Sequence, residues 1–234
     1  MLTGIVVALP EEISTLTNDR IVKGGWFRMS DSLLVSCSGV GPENARLAAE
    51  MLINHGVTRL LSWGCAAALN ETLKPGDLVI TDTLVDTEFS RFELNPDELN
   101  KTLNLLQEHL VIYCGTLAET KNIVSASTDK KQIHANTGAD ILDMESVAIA
   151  KVAKQHNLSF LAIRAVADPV TMNLPKAISY AIDSEGEVVL SKLLYFLLLH
   201  PSELPELIKL GRYFHSAKNK LKQVAKYLDT IASV

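Results

Sequence analysis

Apolar residues run almost unbroken over residues 2–9, with β-branched side chains among them, which predicts a strand covered on both faces. Residues 33–38 repeat the pattern and end at Ser38-Gly39-Val40-Gly41-Pro42. Ala45, Ala48, Ala49, Leu52 and Ile53 then recur at helical spacing, with Pro42 suited to the first turn. Residues 59–63 read as a short strand broken by Gly64, and the Pro75-Gly76 turn leads into a strand over 77–85. Residues 88–97 are polar and irregular; 98–109 predict an amphipathic helix, and 111–117 and 140–144 predict strands. A helix follows over 146–155, then a buried strand over 160–166 that ends at Ala167-Asp168-Pro169.

From Ser184 onward the pattern is helical, with breaks at Pro201 and Pro205. Its most apolar stretch, 188–199, is interrupted by Ser191 and Lys192 and is far short of the roughly 20 residues a membrane span needs, so it predicts a buried helix. Strands alternating with helices predict an α/β fold, with a central mixed, mainly parallel sheet flanked by helices. Residues 1–183 form that domain, and 184–234 form a helical extension packed on it or prolonging it.

Composition narrows the class. Apolar residues make up 47% and charged residues 21% of the 234, which is ordinary globular usage and excludes disorder, collagen and coiled coil. Acids outnumber bases 27 to 22, so nucleic acid is not the expected partner. Cys37, Cys65 and Cys114 form no CxxC pair and leave an odd thiol, which suits a reducing cytoplasm. The N-terminus lacks the basic region of a secretory signal.

Ligands of open α/β sheets bind at the carboxyl ends of strands. Polar or small residues gather there in Pro10-Glu11-Glu12, Ser38-Gly39-Val40-Gly41, Gly64-Cys65-Ala66-Ala67-Ala68 and Ala167-Asp168-Pro169. Asp143-Met144-Glu145 adds two carboxylates where a strand becomes a helix. Such acids are costly to bury unless they meet a ligand. A dinucleotide fingerprint does not fit, because Asn44 stands where the third glycine belongs. No two histidines stand four apart, so no metal is expected, and no GxSxG elbow appears.

In order, G-I-V-V-A-L-P-E-E, S-G-V-G, G-C-A-A-A-L with L-K-P-G-D-L-V, D-M-E-S and R-A-V-A-D resemble the nucleoside phosphorylase and nucleosidase superfamily over residues 4–169. Within it, R-A-V-A-D-P with L-P-K-A, and H-P-S-E-L-P-E-L-I-K-L-G-R, look most like the hopanoid-associated phosphorylase branch, implicated in removing adenine from adenosylhopane. The resemblance implies cleavage of an adenine-type nucleoside, no cofactor, and a homodimer or higher homo-oligomer. It makes Glu12 the base that activates water, and Asp168 the acid that protonates purine N7. Glu145 binds the ribose hydroxyls with Met144 against the sugar, Asn122 and Ile123 contact the base with Asp168, and Gly41, Gly64 and Cys65 line the nucleophile or phosphate pocket. Residue chemistry agrees: an oxocarbenium-like sugar needs carboxylates beneath it, and a leaving purine needs a proton.

Blander readings stand beside these. Glu12 also suits the first turn of a helix, Glu145 a helix N-terminus and Asp168 a turn before Pro169. Two departures from the family matter. Cys65, Ala67 and Ala68 replace a serine and two glycines, and Ser62 falls near the phosphate-holding arginine of hexameric phosphorylases, whose N-terminal GDPxR loop is also missing. Water is therefore the expected nucleophile, with Arg28, Arg46 and Arg91 as substitutes for holding phosphate; a phosphorylase and an inactive nucleobase-binding protein are the alternatives. After Leu207 the chain carries Lys209, Arg212, Lys218, Lys220, Lys222 and Lys226 against the single acid Asp229, with Leu221, Val224, Ala225 and Leu228 on one helical face. That pattern predicts either peripheral contact with a membrane or packing of the tail on its own acidic domain.

Overall fold

A computed structural model describes residues 1–19, 21–181 and 189–233. The chain begins with β1 (Thr3–Val7), the one-turn α1 (Pro10–Ile13), β2 (Trp26–Ser30), β3 (Leu33–Cys37) and α2 (Pro42–Asn54). It continues through β4 (Arg59–Ala68), β5 (Leu78–Val85), β6 (Arg91–Glu93), α3 (Pro96–Gln107), β7 (Ile112–Glu119) and α4 (Ser127–Thr137). Next come β8 (Ile141–Asp143), α5 (Ser146–Gln155), β9 (Ser159–Asp168) and α6 (Lys176–Ala181). Three further helices close it, α7 (Leu190–Leu199), α8 (Leu204–Ala225) and α9 (Leu228–Ser233).

The sheet is mixed, as the sequence predicts. One path runs β2-β3-β1-β4-β8-β7-β5-β6, and β9 joins β4 in parallel and β5 antiparallel. Because β8 also bridges β4 and β7, the strands β4, β9, β5, β7 and β8 pair around a closed ring. Ring closure brings the carboxyl ends of β4, β8 and β9 together and places the site.

Four sequence expectations need correction. β4 does not stop at Gly64: it pairs with β9 as far as Ala67, because the glycine leaves room for side chains crossing over it. The expected loops at 64–68 and 167–168 are thus strand ends. β2, β6 and α4 were not expected; β2 and β6 are edge strands with little burial, and α4 is polar nearly all round, with only Lys130 buried. α3 starts earlier than predicted, at Pro96, where the Asn95 side chain accepts the Asp97 N–H and caps the helix.

The C-terminal expectations divide. The 183/184 boundary and residues 184–188 lie outside the described residues. Pro205 does not break a helix; it sits in the first turn of α8, where its missing N–H costs nothing. α7 is not buried: Leu194 is 55% and Leu198 81% exposed, since its outer side faces no other described element, while Phe196 meets Tyr180 of α6. On α8 and α9, Ala217, Leu221, Val224, Leu228 and Ile231 are buried in the core with Leu61, Leu161 and Ile163. The apolar face on which the membrane expectation rested is therefore enclosed, and the tail packs on its own domain. No described helix is long and apolar enough to cross a membrane.

Candidate active site

Glu12 lies in α1, a single turn opened by Pro10 just after β1. Its Oε2 accepts the Leu9 N–H at 3.1 Å, so the side chain caps its own turn. Its Oε1 accepts the Cys65 N–H at 2.7 Å across the sheet. Glu12 thus stands in the first turn of a helix, as the blander reading has it, and also reaches across to the end of β4. Gly64 makes the approach possible: a Cβ there would fall 2.5 Å from Arg164 Nη1 and 2.7 Å from Glu12 Oε1.

Arg164 holds the centre. Its Nε donates to Asp143 Oδ2 at 2.7 Å, and Nη2 donates to Ser62 Oγ at 2.6 Å and to Ser146 Oγ at 3.0 Å. Asp143 Oδ1 accepts the N–H groups of Glu145 and Ser146, which fixes the start of α5. Glu145 then reaches over to α2, where its Oε1 accepts the Gly41 N–H at 2.7 Å. Gly41 adopts φ 100°, a conformation open to glycine without strain, and this aims its N–H at the carboxylate.

Three carboxylates around one guanidinium leave excess negative charge in a dry place. Burial pushes the Glu12 carboxyl up, and Arg164 opposes the shift. Glu145 is pushed up to about 7, chiefly by burial and then by Asp143, with Arg164 again opposing. For Arg164, burial disfavours the charge, but Asp143, Glu145 and Glu12 together raise its pKa. The Cys65 thiol is pushed well up by burial and by Glu12, so this residue offers its backbone N–H rather than a thiolate.

Asp168 stands four residues beyond Arg164 on β9, roughly 13 Å along an extended strand. Ala66 pairs with Val166 but Ala67 with Asp168, so Ala167 is an extra residue that resets the side-chain alternation just before the acid. Asp168 Oδ2 meets Lys130 Nζ at 2.6 Å. Its Oδ1 is buried without a hydrogen-bond partner. Burial raises its pKa, and Lys130 opposes that rise.

The structure therefore brings together Glu12, Gly41, Gly64, Cys65 and Glu145, with Met144 half-buried beside them, its N–H 3.3 Å from Glu145 Oε2. Asn122 and Ile123 are elsewhere, on an exposed turn after β7 where Thr120 Oγ1 donates to the Asn122 carbonyl. Leu174 N–H donates to the Ser125 carbonyl, tying that segment to the loop after β9. The candidate phosphate-holding arginines stay apart: Arg28 donates to the Asp31 carbonyl, Arg46 pairs with Glu43, and Arg91 donates to the Thr137 carbonyl. Sequence reasoning assigned no role to Arg164, Asp143, Ser62 or Lys130. The first was visible in R-A-V-A-D, and the last carries no sequence signal.

Comparison with known proteins supplies an independent line. A family model for the phosphorylase superfamily matches residues 3–179. A 5'-methylthioadenosine/S-adenosylhomocysteine nucleosidase of Staphylococcus aureus is 26% identical over 194 residues, covering 70% of this chain and 85% of the relative. The Helicobacter pylori enzyme of the same name, solved in complex with a pyrrolopyrimidine-bearing pyrrolidinol, aligns with a TM-score of 0.72 at 18% identity over 99% of this chain and 97% of its own. Helicobacter pylori futalosine hydrolase aligns with a TM-score of 0.71 at 17% identity, covering 99% and 97%. At these identities the solved structures show a shared fold.

Proposed function

The chain belongs to the phosphorylase superfamily, and from that premise we propose that it hydrolyses the N-glycosidic bond of an adenine-type nucleoside, with water as the nucleophile. The observation that carries this reading is the hydrogen bonding of the two backbone donors at the site. Cys65 N–H and Gly41 N–H, two backbone groups at the strand ends, both donate to buried carboxylates. Arg164 is likewise enclosed by Asp143, Ser62 and Ser146. A phosphate dianion entering here meets carboxylates and finds both of these backbone donors engaged, whereas a water molecule meets Glu12 as its base.

Glu12, held by Cys65 and Leu9, takes the proton of the attacking water. Glu145 accepts from the ribose hydroxyls, and its charge favours the cation that develops at the sugar. Asp168 Oδ1 gives a proton to N7, so the electron pair of the breaking bond leaves on a neutral base. Asn122 and Ile123, outside the cluster of Glu12 and Glu145, bound the base in this reading from the turn after β7, whose segment the hydrogen bond between Leu174 and Ser125 ties to the loop that follows Asp168. The 5' substituent is apolar in this reading, as in adenosylhopane. In support, a cleft of about 370 Å³ beside Ser38 is lined in part by Leu47, Ala48 and Met51 of α2, with Lys23 and Asn44 also on its wall. A site with partner residues in a homodimer suits the same reading.

Incubation with adenosine and 5'-methylthioadenosine, with and without phosphate, tests it by the sugar product. Free ribose or methylthioribose in both cases is expected. A sugar 1-phosphate makes the protein a phosphorylase, and tight adenine binding without turnover makes it a binding module.

A further inference from the structure

Lys130 is a buried cation that the mechanism above leaves unused. It sits in the second turn of α4, a helix otherwise open to solvent, yet its side chain is fully buried. The helix is clasped to the loop after β9, since Ser127 N–H donates to Asn173 Oδ1 at 2.7 Å and Leu174 N–H to the Ser125 carbonyl at 2.8 Å. From there Nζ reaches three acceptors: Asp168 Oδ2 at 2.6 Å, the Met172 carbonyl at 2.9 Å and the Pro169 carbonyl at 3.3 Å. An ammonium has three protons, so all are engaged. Asp168 is left with one oxygen held and the other, Oδ1, buried and unpartnered.

We propose that Lys130 is the positioning residue of the acid step: by holding Oδ2 of Asp168 it leaves Oδ1 as the one oxygen that carries the proton and delivers it to the leaving purine. This rests on the nucleosidase reading. The proton passes from Oδ1 to N7 while the electron pair of the C1'–N9 bond moves into the base, and Asp168 is left as a carboxylate facing the Lys130 ammonium. The ion pair thus stabilises the acid's conjugate base after transfer. A neutral side chain at 130 frees the carboxyl to turn and removes that stabilisation. Lys130 is the charged group set against Asp168, with burial acting in the opposite direction. Arg164 and its carboxylates lie farther down β9.

The test compares wild type with Lys130→Met, Lys130→Gln, Asp168→Asn and Lys130→Met/Asp168→Asn, reading kcat, KM and the pH profile of kcat/KM for a cleaved nucleoside. Lys130→Met is expected to lower kcat by about 10²-fold, the order of a general-acid contribution, with a much smaller change in KM. Loss of the cation raises the acid's pKa, so the pH optimum moves upward. In the Asp168→Asn background the same change is expected to cost nothing further in kcat. Lys130→Gln keeps two donors without the charge, moves the optimum the same way, and carries the test if the Met variant does not fold. An unmoved optimum in a folded variant, or a loss that multiplies with that of Asp168→Asn, overturns the role of Lys130. A wild type that cleaves no nucleoside overturns the hydrolase reading, and this proposal with it.

Discussion

Two buried cations, Arg164 and Lys130, each pair with a carboxylate among the candidate site residues, and they are bonded differently. Arg164 is ringed by acceptors on several elements, and the carboxylate it pairs with, Asp143, has both oxygens satisfied. Lys130 pairs with a carboxylate that has one oxygen satisfied and one without a partner. A densely bonded network holds geometry, and a planar guanidinium suits it because one group can address several partners at once. A half-satisfied pair is unfavourable to the empty fold, so it points to a group that arrives with the ligand. In the proposed reading the Arg164 side is the frame of the site, and the Lys130 side is where its chemistry is left open.

That contrast breaks most sharply at Asp168. Asp168→Asn is expected to lower kcat by about 10²–10⁴-fold with the fold intact, since the amide fits but has no acidic proton to give; circular dichroism beside turnover checks it. Arg164→Met attacks the frame instead. It leaves Asp143 buried without its cation, and chemical denaturation is expected to show a loss of about 3–5 kcal/mol. Gly64→Ala is milder, because Glu12 and Arg164 must yield to the new methyl; about 1–3 kcal/mol of stability is expected to go, with a lowered kcat.

The smallest effect concerns protons. Glu145 is raised to about 7 from its ordinary 4.5, so between those values the fold holds a proton that the unfolded chain releases. Stability without ligand is therefore expected to decline as pH rises from 4.5 toward about 7, and to level off above. Nucleoside affinity is expected to run the other way, since ribose hydroxyls donate to the ionised carboxylate. Measured by calorimetry on Asp168→Asn, it weakens by about tenfold per pH unit below that value.

The carboxylates were legible in the chain where the cations that hold them were not, and the reason is local. Glu12, Asp143, Glu145 and Asp168 lie at the ends of strongly apolar strands, where buried carboxylates are conspicuous. The helix over Ser146–Gln155 was legible because its apolar face is regular. Lys130 was hidden because α4 has almost no apolar face, and its reason for being buried lies 38 residues away at Asp168. The exposure of α7 was misread, and the choice between membrane contact and packing for α8 was left open, for a related reason: periodicity shows that a helix has an apolar side, but not what that side meets.

The central claim is that the engaged N–H groups of Gly41 and Cys65 leave the site to water. Its most direct test is the steady-state rate of adenine release from 5'-methylthioadenosine as phosphate is raised from none to saturating. The account predicts full activity without phosphate and a flat response. A rate that is nil without phosphate and rises along a saturating curve contradicts it.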